Sequence, residues 1–156
     1  MREEILEALS SAPRLVERVL RVFPTDRLDD RTGRASFSPR EAIASLADNE
    51  MIILDRLRMA NLRPGSEVDN IDPVERAMQH HYADKNVFHE AEVFESRRQM
   101  TTDYLRQMSK DDMEKTFNLG GHNMTVREYI SLVLANDMFH LEQLSSYLAT
   151  EAATIS

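Results

Sequence analysis

Residues 132–144 read LVLANDMFHLEQL. At 100° per residue, Val126, Ile130, Val133, Leu141, Leu144 and Leu148 share one face of a helix, and their spacing of three and four excludes a strand. Asp137 and His140 fall on that same face, with Asn136 at its edge. A helix that turns an aspartate and a histidine inward needs partners for them, because an unpaired charge in an apolar interior is costly.

Two other segments carry the same signature. Residues 39–61 present Ile43, Leu46, Ala47, Glu50, Ile53, Leu54 and Leu57 on one face. Residues 86–110 present Val87, Ala91, Phe94, Arg98, Thr101, Leu105 and Met108. Each stripe has a charge near its middle. Three helices thus bring Glu50, Arg98, Asp137 and His140 toward one interior region. Either Arg98 bridges the two carboxylates in a buried polar layer while His140 takes a remaining hydrogen bond, or the group lines a pocket for a metal or small molecule.

Punctuation sets the remaining boundaries. A first apolar segment spans residues 2–22 and carries Ile5, Leu6, Leu9, Leu15, Val16, Val19 and Leu20, with Pro13 expected to open its main helix after a short lead-in. Pro24 ends it, and the polar linker TDRLDDRTGRA follows. Ser38, Pro39 and Glu41 form a capping box ahead of the second helix, and Thr125 with Glu128 forms another ahead of the fourth, which runs to about residue 150. Asp72-Pro73 opens a short connecting helix, and the piece around Gly120 and Gly121 reads as irregular. Four long amphipathic helices with one short extra helix predict an all-α four-helix bundle, with residues 1–156 forming a single domain.

Composition restricts the function. The 156 residues are 42% hydrophobic with a net charge of −8, which opposes nucleic acid and anionic lipid surfaces. The chain has no cysteine, so thiolate ligands, disulfides and a cysteine nucleophile are excluded, and any thiol would come from a small cosubstrate. No apolar run of 18 residues appears and the start is too charged for a secretory signal, so a cytoplasmic location and no membrane partner are expected. Of the five histidines, His80, His81, His89 and His122 sit in or beside connections and are expected at the surface. Met51, Ile52 and Phe139 fall on outward arcs, which predicts a partner surface, most simply that of a homodimer.

Nearly the whole chain resembles the DinB superfamily, to which the YfiT-type proteins and thiol-dependent transferases belong. The resemblance is carried by FSPREAIASLADNE, by FESRRQMTTDYL and by TVREYISLVLANDMFHLEQL, in matching order and spacing. It implies a four-helix bundle, often dimeric, with a divalent metal such as zinc or nickel on three histidines, one from the second helix and two from the fourth. Those positions fall on Ser45, Asn136 and His140, of which only His140 is a good ligand. The expected state is therefore a degenerate site without bound metal, unless Asp48, Glu50 or Asp137 supplies carboxylates for a harder ion. Three functions stay open: a bundle protein binding a small ligand in its core, with Arg98 suited to an acidic one; a divalent-metal enzyme of thiol-transferase or hydrolase type; and a non-catalytic dimeric interaction protein of stress physiology.

Overall fold

The computed structural model describes residues 2–31 and 37–155, with residues 2 and 150–155 as backbone alone; linker residues 32–36 lie outside it. The long helices are α1 (Arg2–Val22), α2 (Pro39–Leu62), α4 (Val87–Gln107) and α5 (Val126–Ile155), with the short α3 (Pro73–Gln79) between α2 and α4. Both capping boxes form: Ser38 Oγ accepts from the Glu41 amide at 3.2 Å, and Thr125 Oγ1 from the Glu128 amide at 3.1 Å. Asp72 and Asn86 cap α3 and α4 in the same way, each accepting from two backbone amides.

Two expectations about α1 are corrected. Pro13 does not open a helix but lies inside a continuous α1. A proline there removes the donor that would serve the carbonyl four residues back, which is Leu9, at a usual cost of about 3 kcal/mol or more. Here the Leu9 carbonyl accepts instead from Arg98 Nη1 at 2.9 Å. Leu15, assigned to the apolar stripe, points outward at 42% exposure.

The piece around Gly120 and Gly121 is regular. Strands β2 (Thr116–Leu119) and β3 (His122–Thr125) form an antiparallel hairpin, and β1 (Glu67–Val68) adds in parallel to β2. Gly120 and Gly121 have φ of 57° and 90°, the positive values a two-residue hairpin turn requires. A side chain at Gly120 would also overlap the Asn70 carboxamide packed over it.

Packing follows an uncommon order. α4 packs on α1 and α2, and α5 also packs on α1 and α2. Consecutive helices α1 and α2 therefore stand diagonally, as do α4 and α5. The core falls into two main clusters: one centred on Val16, Leu20, Leu46, Phe94 and Leu144, the other on Leu9, Leu57, Leu105, Phe117 and Ile130. Glu50, Arg98 and Asp137 belong to neither and lie between them in the order of each helix.

Candidate functional site

The inward charges form a sealed layer. Arg98, 1% exposed, donates to Asp137 through Nη1 at 2.6 Å and Nη2 at 2.9 Å, and to Glu50 through Nη2 at 2.5 Å. Thr101 Oγ1 donates to the other Glu50 oxygen at 3.0 Å. With the bond to Leu9, one guanidinium on α4 reaches each of the other three long helices. Burial alone would lower the Arg98 pKa, but its hydrogen bonds to Asp137 and Glu50 hold it above the ordinary arginine value. Burial, with the neighbouring Glu50 charge adding to it, holds the Asp137 carboxyl above its ordinary pKa against the lowering by Arg98. Only Arg98 Nε lacks a partner, and Arg98 floors a groove of about 700 Å³ between α1 and α4. That groove is walled largely by charged residues, among them Glu3, Glu7, Arg14, Glu95 and Arg106, unlike the mostly apolar sites that hold small molecules.

His140 does not join the layer. It is 5% exposed, its ring packs edge-on to Phe139 at 5.5 Å, and its Nδ1 has no hydrogen-bond partner. Burial lowers its pKa below 6.5, with the Gln143 side chain opposing. Gln143 Nε2 and the Tyr147 hydroxyl both donate to the Phe37 carbonyl, tying α5 to the entrance of α2. His80, His81, His89 and His122 are exposed.

Ser45 is buried and accepts from Asn49 Nδ2 at 3.3 Å, whereas Asn136 is exposed. Asn49 and Asn136 line one pocket of about 310 Å³ between α2, α5 and the segment entering α3. Its walls are mostly apolar, including Ile52, Ile53, Ile71 and Val133, and its polar groups add Arg56, Asn70 and Tyr129. Arg56 Nη2 donates to the Asp69 carbonyl at 2.8 Å and Nη1 to the Tyr129 hydroxyl at 3.4 Å. Burial raises the Tyr129 phenol pKa despite the nearby Arg56, which keeps it a proton donor.

Arg56 and Tyr129 were not among the candidate residues. A signal for Arg56 is present in the chain: the residues three and four away on either side are Ile52, Ile53, Met59 and Ala60, so no acid stands at ion-pair spacing on its helix. Tyr129 carries no comparable signal.

A model of the DinB superfamily matches residues 8–144. The chain belongs to the DinB superfamily. Among solved structures, the DinB-like protein YfiT of Bacillus subtilis, described as a probable metal-dependent hydrolase with an unusual four-helix bundle topology, superposes with a TM-score of 0.84 at 14% identity, over 95% of this chain and 87% of that one. A mycothiol-dependent maleylpyruvate isomerase superposes at 0.74 and 14% identity over 92% of this chain, which spans 60% of that protein. A search of curated proteins gives no match.

YfiT is described as metal-dependent, and the residues of this chain can be tested against a divalent metal. Ser45 is engaged by Asn49, Asn136 offers a weak carboxamide, and His140 is the single imidazole. The carboxylates near these positions are committed elsewhere. Glu50 and Asp137 hold Arg98, and Asp48 accepts from Arg76 and the Tyr82 hydroxyl. Among the described residues no three His, Asp or Glu side chains converge as a metal group. The donor set does not fit zinc or nickel.

No described helix is long and apolar enough to cross a membrane.

Proposed function

We propose that this DinB-fold protein binds a small organic molecule, without a metal, in the pocket between α2 and α5. The observation that carries the reading is positional. By the family resemblance Asn136 falls at one metal position and Ser45, which accepts from Asn49, at another; Asn49 and Asn136 line that pocket. Replacing imidazoles with a serine and an asparagine removes metal affinity and leaves neutral hydrogen-bonding groups beside an apolar cavity. A few fixed polar groups in an apolar wall are what a small-molecule site needs.

The ligand is not held by Glu50, Arg98 and Asp137. The two carboxylates are committed to the Arg98 guanidinium, and the three groups serve as a structural layer. A metalloenzyme reading, with a small thiol as cosubstrate, is favoured by the activities described for the two structural neighbours. It requires a metal that the donor set disfavours.

Metal content by plasma mass spectrometry on tag-free protein, purified without chelator, separates the two. Metal far below one per chain is expected in both the parent and His140→Ala. Near-stoichiometric metal in the parent that disappears in His140→Ala would overturn the proposal.

We also propose that the protein acts in the cytoplasm as a homodimer through its outward apolar surface. Met138 and Phe139 on α5 are 56% and 63% exposed, and Met51 on α2 is 40% exposed.

A further inference from the structure

The pocket between α2 and α5 is electrostatically one-sided. On a chain of net charge −8, its lining among the described residues contains no aspartate or glutamate, and Arg56 is the sole charged residue there. Arg56 forms no ion pair among the described residues; its two bonds go to a backbone carbonyl and a phenol. A guanidinium carries five N–H donors, so three remain uncommitted. Tyr129 accepts from Arg56, which leaves its own hydroxyl proton free to be donated beside the same cation. Arg56 and Tyr129 therefore make a paired donor set, and Ile52, Ile53, Ile71, Leu132 and Val133 supply an apolar wall. The volume, about 310 Å³, lies at the small end of ligand sites.

We propose that the pocket takes a small monocarboxylic acid with an apolar body, the carboxylate held by Arg56 and the Tyr129 hydroxyl. Cation and phenol donors pair well with a carboxylate, whereas a cationic ligand would face Arg56 with no counter-charge in the lining. A second carboxylate would have no cation to meet it. The Asn49 and Asn136 carboxamides, at the other end of the pocket, accept or donate to a neutral polar group on the body. This inference rests on the preceding reading of the pocket and adds the ligand class.

The test is a titration of the ¹⁵N-labelled full chain, followed by ¹H–¹⁵N correlation spectra. The probes are two matched pairs, phenylacetate with phenylacetamide and hexanoate with hexanamide. The carboxylates should shift the Asn49 and Asn136 side-chain amides and the Arg56 Nε–H, and should bind about tenfold or more tighter than their amides, the ratio expected for a charge-assisted bond over a neutral one. That ratio should shrink as salt is raised. In Arg56→Gln the preference should vanish while amide binding persists.

Amides binding as tightly as carboxylates to the parent would overturn the ligand class and leave the pocket standing as a site. Failure of all four probes to move any pocket resonance would overturn both. Because the acid–amide comparison is made on the parent protein, it holds even if Arg56→Gln fails to fold.

Discussion

Arg98 Nη1 donates to the Leu9 carbonyl at 2.9 Å, and Leu9 is the residue whose helical partner would have been the missing N–H of Pro13. The proline and the arginine are thus two halves of one arrangement. Pro13→Ala restores a backbone donor that competes with Arg98 for that carbonyl. Arg98→Lys, which loses the fork, should therefore cost less in the Pro13→Ala background than in the parent, by about 1 kcal/mol, the net worth of one hydrogen bond. A double-mutant cycle in urea checks this. Additivity within about 0.3 kcal/mol would show the two sites to be independent.

The buried layer predicts opposite outcomes for partial and complete removal. Arg98→Met alone leaves Glu50 and Asp137 facing each other without a cation and should cost about 3–5 kcal/mol. The triple variant Glu50→Leu, Arg98→Met, Asp137→Leu removes every charge and should recover most of that loss. Thermal melts of the two variants decide it: the triple variant should melt well above Arg98→Met.

His140 makes stability depend on pH in a stated direction. Its folded pKa lies below 6.5 because burial disfavours the charged ring. Such a group contributes stability that is present above the unfolded pKa and lost as pH falls toward and through the folded value. The urea midpoint should therefore decline on acidification below about pH 6.5, with a smaller decline in His140→Gln. An equal decline in the two proteins would remove His140 as the cause.

Asp48 on α2 anchors α3, whose first residue, Pro73, lines the pocket. It accepts from Arg76 Nε at 2.5 Å, Arg76 Nη2 at 3.0 Å and the Tyr82 hydroxyl at 2.5 Å, pinning the segment of α3 to α2. Burial works against its charge, but the Arg76 and Tyr82 hydrogen bonds hold its pKa below the ordinary value. Asp48→Asn should raise amide hydrogen exchange across residues 73–84 and leave α4 and α5 unchanged. Uniform loss of protection would mean that the clamp supports the whole bundle.

The proposed homodimer predicts a concentration-dependent sedimentation coefficient that Phe139→Glu returns to the monomer value. A monomeric parent at all concentrations would dismiss the second copy as partner.

Much of this architecture was legible in the chain because it depends on local spacing. The three stripes containing Glu50, Arg98 and Asp137 follow the helical period, and nearly every residue assigned to them is buried. Both capping boxes are four-residue signals. What escaped depends on distance or on elements too short to show a period. Pro13 reads as a helix start because its compensating donor lies on another helix, 89 residues from Leu9. The hairpin was missed although Gly120-Gly121 between TFNL and HNMT is a two-residue turn pattern, since strands of four residues carry little periodicity. Arg56 and Tyr129 sit on helix flanks, and only the docking of α3 and the hairpin beside them turns that flank into a pocket.

The diagonal order of the helices bears on how the chain emerges during synthesis. α1 is made before α4 and α5, the helices it packs on. The 89 residues separating Leu9 from Arg98 take roughly 5–20 s to translate at cellular elongation rates. Through that interval the nascent α1 holds a bare apolar stripe and a carbonyl without its donor. The ribosome thus releases this helix as a sticky, unfinished surface, and holdase chaperones should engage it until α4 clears the exit tunnel.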